Sequence, residues 1–256
     1  DSLKKKQFLD AAMIGNRAVV KFAERISDKC KEEAEKCGDP ACRQELLELS
    51  RVCGNVPLHP AQTFQEAVQT IFIILLAVHL ESNGHAISLG RFDQYVYPLY
   101  KKDLEEGRIT RERALEILEC FFIKCNEINK LRSWPDTEFF MGYQMFINMA
   151  VCGQTVDGKD ATNDVSLLCI QACRELKLIT PSVSVKYFDG TTDQVLLEAL
   201  EAAIEHQGGM PAFYNDNAFI KIMRRMGVAE EDLVDWSPDG CIEASIPGKW
   251  DFAAKG

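Results

Sequence analysis

Apolar residues recur at helical spacing through the first part of the chain. From Phe8 to Glu35 the positions Phe8, Ala11, Ala12, Ile14, Ala18, Val19, Phe22 and Ile26 alternate with lysines and glutamates, a pattern that predicts an amphipathic helix. A second helix is predicted over about Ala41 to Cys53, with Gly54 placed to end it. After the Pro57 to Pro60 turn, Thr63 and Glu66 form a capping-box pattern ahead of an apolar run to Leu80. The stretch ESNGHAISLG, residues 81–90, reads as a loop. Further helices are predicted around Arg91 to Glu106 and over Thr110 to Lys130, the second closed by Pro135.

Beyond residue 135 the pattern changes. Met145 to Cys152, Ser182 to Tyr187 and Pro211 to Tyr214 have the short apolar or alternating texture of strands. Between and after them, Asp160 to Leu176, Asp193 to His206 and Ala218 to Met226 read as helices. Strand–helix–strand order of this kind predicts an α/β fold with mainly parallel strands, here part of a barrel. The chain is read as one piece of a single domain, with outer helices over 1–135 and the strand–helix alternation over 136–256. No internal repeat is visible.

Composition narrows the function without naming it. The 256 residues are 46% hydrophobic and 27% charged, as in ordinary globular proteins. A net charge of −10 argues against a nucleic-acid partner, which needs clustered lysines and arginines. The apolar run Ile71 to Val78 falls well short of the about 20 residues that span a bilayer, so no membrane partner is expected. The opening DSLKKKQFLD has no apolar core of a signal peptide. Ten cysteines show neither a CxxC pair nor zinc-ligand spacing, which suits a reducing, cytoplasmic compartment and no metal. The chain opens at Asp1 inside a helical pattern and stops at Gly256 just after its most distinctive segment. It is expected to be a piece of a longer protein.

That segment is SPDGCIEASIPGKW, residues 237–250. If Cys241 to Ser245 is extended, Cys241 and Glu243 point to one side and Ile242 to the other. A reactive thiolate needs a cation or a helix N-terminus nearby, whereas a carboxylate on the same face keeps the thiol protonated. Such a pair suits a sulfur that exchanges a hydrogen atom while the carboxylate takes a proton. Taken alone, Cys-x-Glu is a weak signal.

The surrounding sequence is more specific. GCIE followed by PGK, together with ESNGHAISLGRFDQYVYPLY over 81–100, resembles the glycyl radical enzymes of the pyruvate formate-lyase-like superfamily, in their glycerol dehydratase-like branch. VPLHPAQTFQEAVQ (56–69), DGKDATNDVS (157–166) and GGMPAFYND (208–216) extend the resemblance in consistent order along nearly the whole chain. It implies a barrel enzyme in which a glycine near the C-terminus carries a stable radical. A partner activase with an iron–sulfur cluster and S-adenosylmethionine installs that radical, and the glycine segment is expected to lie outside this chain. Cys241 would form the thiyl radical that takes a hydrogen atom from a small polar substrate, and Glu243 would be the base. The full-length enzyme would be a homodimer, and this piece would be inactive alone.

The resemblance also limits the chemistry. Pyruvate formate-lyase itself has two adjacent cysteines, whereas Gly240 precedes Cys241 here. The diol-dehydrating members place a His-Ser pair where this chain has His85 and Ala86, the implied substrate-binding positions. They also place an aspartate fourteen residues past the cysteine, where this chain has Lys255. Ser245 and Ile246 depart from the family pattern as well. Glycerol therefore fits poorly, and Lys255 could attract a carboxylate or sulfonate. Alternatives are a decarboxylase or other C–C, C–N or C–S lyase, a catalytically inactive barrel-type scaffold, and a thiol hydrolase built on Cys241 and His85. Elsewhere, Arg91 and Asp93 read as a bracing ion pair and Tyr95, Tyr97 and Tyr100 as core. His59 and His206 read as structural, and Asn215 with Asp216 as a helix cap.

Overall fold

The computed structural model describes residues 2–81, 86–131, 133–140 and 145–251. They fall into two compact units, residues 1–83 and 84–256.

The first unit is helical. α1 spans Ser2–Lys36, α2 Pro40–Asn55 and α3 Phe64–Glu81. α2 opens with Pro40 at a position that needs no N–H, and the Asp39 carboxylate accepts from Ala41 N at 2.8 Å. Gly54 does not end this helix. It stays inside the last turn, where a Cβ would meet Ser27 Oγ at 3.3 Å, so its bareness serves the close approach of α1 instead. Ser27 Oγ in turn donates to Ser50 O at 2.7 Å. At the start of α3, Glu66 N donates to Thr63 Oγ1 at 3.2 Å, while the Glu66 carboxylate accepts from Gln62 N at 2.8 Å and Arg51 at 3.0 Å. α3 has 18 residues of mean hydropathy 1.4, long and apolar enough to cross a membrane by length and composition alone. Its Ile73 is fully buried and packs with Ala23 and Cys53, and Glu66 and His79 are buried on the same helix, as in a core helix.

The second unit carries the sheet. β1 covers Ala86–Arg91 and is followed by α4 (Phe92–Glu105), α5 (Arg111–Asn126) and α6 (Trp134–Phe140). β1 lies where the sequence reads as loop, and α6 where Pro135 reads as a stop; Pro135 instead sits in the first turn, where a missing N–H costs nothing. Next come β2 (Phe146–Cys152), α7 (Asp164–Leu176), β3 (Ser182–Tyr187), α8 (Asp193–His206), β4 (Ala212–Asn215) and α9 (Asp216–Arg225). α7 starts later than its polar lead-in implies because Asn163 and Ser166 close a capping box there. After a 3₁₀ turn at Glu230–Asp235, strands β5 (Ser237–Asp239), β6 (Glu243–Ile246) and β7 (Trp250–Asp251) form an antiparallel meander.

Strands β1 to β4 lie side by side in chain order, and every pairing is parallel. The α/β architecture expected from the alternation is therefore present. Side chains alternate across this sheet. One face carries Ile147, Met149, Val151, Val183 and Val185, all fully buried, and α4 and α7 pack on the sheet. The other face carries Ser88, Asn148, Ser182, Ser184, Lys186 and Tyr214, small or polar residues on neighbouring strands. A buried sheet face of this composition needs polar partners, and the chain from Val234 to Gly240 supplies several of them.

Two charged residues fix the end of β2. Arg91 Nη2 donates to Cys152 O at 3.0 Å, and Asp93 Oδ2 accepts from Cys152 N at 2.7 Å and from Ser166 Oγ at 2.5 Å. Arg91 and Asp93 are thus scaffold, but their hydrogen bonds clasp Cys152 rather than each other. The clasp holds Cys152 at φ 64°, a left-handed conformation uncommon outside glycine.

Candidate active site around Cys241

The segment that leads to Cys241 is anchored to the polar face of the sheet. Lys186, fully buried on β3, points its ammonium at three acceptors: Val234 O at 2.7 Å, Trp236 O at 3.0 Å and Asp216 Oδ1 at 3.3 Å. Three donors meeting three acceptors satisfy this buried cation. Asp216 also accepts from the Trp236 indole at 2.5 Å and from Gln154 N at 3.0 Å. Trp236 lies under the Lys186 ammonium and stacks on Phe219 at 4.0 Å. Burial, followed by the nearby Arg91 charge, brings the Lys186 pKa down to about 7, while Asp216 pulls it up. Asn215 caps α9 by accepting from Ala218 N, but Asp216 belongs to this buried cluster and not to the cap.

From Trp236 the chain enters β5. Ser237 Oγ lies 2.9 Å from Ser88 Oγ of β1. Asp239 pairs with Glu243 across the hairpin, leaving Gly240, Cys241 and Ile242 as a three-residue turn. Cys241 is therefore not in an extended segment, and the same-face alternation expected from the sequence does not bring it to Glu243. The turn does so instead. Glu243 Oε2 accepts from Cys241 N at 2.9 Å and from Ile242 N at 3.0 Å. These backbone donors, Ile242 N–H first, hold the Glu243 carboxyl below its ordinary range. Gly240 makes this possible. Its φ of +60° is left-handed, and a Cβ there would meet Glu243 Oε2 at 2.8 Å.

The turn is also tied from below. Asn148 Nδ2 donates to Gly240 O at 2.9 Å, and the Tyr214 phenol donates to Cys241 O at 3.2 Å. Both peptide groups of Cys241 are thus engaged, and the residue is exposed at the tip of the hairpin. A thiol held on a fixed backbone, open on one side, with a carboxylate within its own turn, can exchange a hydrogen atom with a molecule placed above it. The arrangement offers no imidazole partner for a hydrolase among the described residues.

Of the other expected positions, Ala86 opens β1 opposite Phe146, on the same face as Ser88. His85 and Lys255 lie outside the described residues. His206 is structural: its Nε2 lies 3.0 Å from Leu178 O and its Nδ1 accepts from Gly208 N at 3.1 Å. Tyr100 is core, whereas Tyr95 is half exposed and donates to Leu89 O. A cleft of about 510 Å³ lies beside the hairpin, lined by Ser88, Asp239, Ser245 and Trp250 among others. One of about 1200 Å³ in the helical unit, lined by residues such as Met13, Leu58, Ile74 and Val78, contains none of this chemistry.

The sequence reading missed Asn148, Lys186 and Tyr214. Their signal was a polar residue at every second position of a buried strand, as in SVSVKY, and an asparagine inside the apolar run FINMAVC.

Comparison with known proteins identifies the family and its fold. A family model described as "Pyruvate formate lyase-like" matches residues 1–255. A "Probable dehydratase YbiW" of Escherichia coli is 35% identical over 260 residues, covering 100% of this chain and 32% of that protein. An isethionate sulfite-lyase of Bilophila wadsworthia is 34% identical over 258 residues, covering 100% of this chain and 31% of its own length. A solved structure concerned with 1,2-propanediol dehydration in Roseburia inulinivorans superposes with a TM-score of 0.91 at 44% identity, covering 94% of this chain and 30% of that one. The chain thus spans about a third of the length of the curated relatives it matches.

Proposed function

The chain belongs to the pyruvate formate lyase-like family, whose members matched here are glycyl radical dehydratases and lyases, and from that premise we propose that it carries the thiyl-forming centre of such an enzyme. The observation that supports this most is the Cys241 turn: an exposed thiol whose peptide groups are held on both sides and whose neighbour Glu243 is bound into the same turn.

A glycine-centred radical in the longer protein, installed by an activase that uses S-adenosylmethionine and an iron–sulfur cluster, supplies the removal of a hydrogen atom from the Cys241 S–H. Cys241 then takes a hydrogen atom from a substrate C–H and becomes S–H again. Glu243 accepts the proton of the neighbouring hydroxyl as the leaving group departs from the adjacent carbon. The product radical then takes a hydrogen atom from Cys241, and the resulting thiyl retrieves a hydrogen atom from the glycine, so the S–H and the glycine-centred radical are both restored. The two backbone donors that keep Glu243 ionised make it ready to accept a proton and leave it a mild base. The Cys241 turn suits this relay because its tip is open while its backbone is fixed.

The substrate class is a small polar molecule with a leaving group next to a C–H bond. Ala86 supplies no hydroxyl at the position where the diol-dehydrating members carry one, which disfavours glycerol. The full enzyme is proposed to be a cytoplasmic homodimer. The test is anaerobic activation of the full-length protein, then incubation with propane-1,2-diol, glycerol and isethionate. Elimination or sulfite release supports the reading. Release of labelled carbon dioxide from a carboxylic acid, with none of those products, would establish a decarboxylase instead.

A further inference from the structure

The Cys241 turn receives two hydrogen bonds from side chains rooted on different strands of the parallel sheet. Asn148 sits on β2, in the interior of the sheet, and is 1% exposed. Its amide nitrogen donates to Gly240 O at 2.9 Å, and the carbonyl acceptor fixes which way the amide points. Its Oδ1 is buried without a hydrogen-bond partner. A buried amide that leaves one end unsatisfied is costly, and an apolar residue would pack there without that cost. The bond to Gly240 O is what the asparagine gains.

Tyr214 sits on β4, beside β3, and its phenol reaches Cys241 O at 3.2 Å. Its ring is braced edge-on against Phe219 and Trp236, with centroids 5.9 Å and 6.1 Å away. Trp236 in turn is held by Asp216 and overlaid by Lys186. The donor to the cysteine carbonyl is therefore fixed by the same cluster that anchors the start of the hairpin. Two successive carbonyls, Gly240 O and Cys241 O, are pinned from below, while the next two N–H groups are taken by Glu243.

We propose that Asn148 and Tyr214 are positioning residues that fix the height and direction of the Cys241 thiol through the carbonyls of its turn. This rests on Cys241 being the hydrogen-atom carrier. A thiol that must meet a glycine-centred radical on one side and a substrate C–H on the other tolerates little displacement, since misplacement of about 1 Å can cost about a hundredfold in rate. Neither side chain needs to touch substrate to have this effect.

The experiment uses the full-length protein without the radical installed, and follows iodoacetamide alkylation of Cys241 by peptide mass spectrometry. Tyr214→Phe keeps the ring and its packing and removes only the hydroxyl; Asn148→Ala removes the second tether. Each is expected to raise Cys241 alkylation about fivefold, the factor that one neutral hydrogen bond gives. Alkylation of the exposed Cys42 should stay unchanged. Tyr95→Phe, which deletes a phenol hydroxyl bonded to Leu89 O elsewhere in the same unit, is expected to leave Cys241 unaffected. Unchanged alkylation in both variants overturns the proposal, and so does an equal rise in Tyr95→Phe or at Cys42, which would report a loosened fold. In the activated enzyme, turnover by a Cys241→Ala variant would overturn the parent reading instead, whatever the alkylation shows.

Discussion

At the scale of single residues, the turn depends on what Gly240 lacks and on where Glu243 points. Any side chain at position 240 must adopt φ +60° and push against Glu243 Oε2 at 2.8 Å. Gly240→Ala is expected to destabilise the full-length protein by about 1–2 kcal/mol, the cost of a left-handed alanine, readable in urea unfolding. Glu243→Gln keeps an acceptor for Cys241 N and Ile242 N but cannot take a proton. Its turnover is expected to fall by about 10²- to 10⁴-fold, the usual size of a lost general base, with the glycyl radical signal intact. Turnover within about threefold of wild type would remove Glu243 from the base role. Ala86→Ser adds the hydroxyl that the resemblance to the diol-dehydrating members implies at this position. Glycerol turnover relative to propane-1,2-diol is expected to rise about tenfold, as one added polar contact allows. No rise would show that Ala86 does not face the substrate.

At the scale of elements, the sheet has one face made for helices and one made for the hairpin. Lys186 is the hinge between them, since it binds the chain at Val234 and Trp236 and neutralises Asp216. Lys186→Met would leave Asp216 buried without its cation and is expected to cost about 3–5 kcal/mol. The pH dependence has a definite sign. The unfolded chain keeps the lysine proton up to about pH 10, whereas the folded protein releases it at about 7. Between those limits the unfolded state binds more protons, so this group's contribution to stability grows as pH rises. Arg91, Asp93 and Asp216 are the charged groups that act on it. Urea unfolding at pH 6.5 and about 9 should show the gap between wild type and Lys186→Met widening at the higher pH. A gap that stays the same at the two pH values would mean that the ammonium stays charged in the fold.

The same elements show what the sequence could reveal. β3 and α8 are found at the residues expected, because a clear period of two or of 3.6 separates polar from apolar positions there. β1 was hidden because its six residues mix glycine, serine and arginine, and pairing with β2 creates the strand rather than any local preference. Cys241 was identified from its neighbours in sequence, yet its geometry was not, since a left-handed glycine turns the chain before alternation can act. Asn148 and Tyr214 were out of reach for a different reason. Their role exists only once β2, β4 and the hairpin are brought together across 92 and 27 residues of chain.

At the scale of the whole molecule, the family assignment and the site describe one design. A parallel sheet turns its polar face to a hairpin and presents a single exposed thiol at the tip. The curated relatives include a probable dehydratase and an isethionate sulfite-lyase, proteins named for different leaving groups. That is the expected outcome if the turn performs the hydrogen-atom exchange common to all of them, and if the residues around it choose the substrate. The direct test is made on the full-length enzyme after anaerobic activation, comparing wild type with Cys241→Ala. The glycyl radical signal by electron paramagnetic resonance is expected to be present in both, and substrate turnover only in the wild type. Turnover by Cys241→Ala at a rate near wild type would contradict the assignment of Cys241 as the hydrogen-atom carrier.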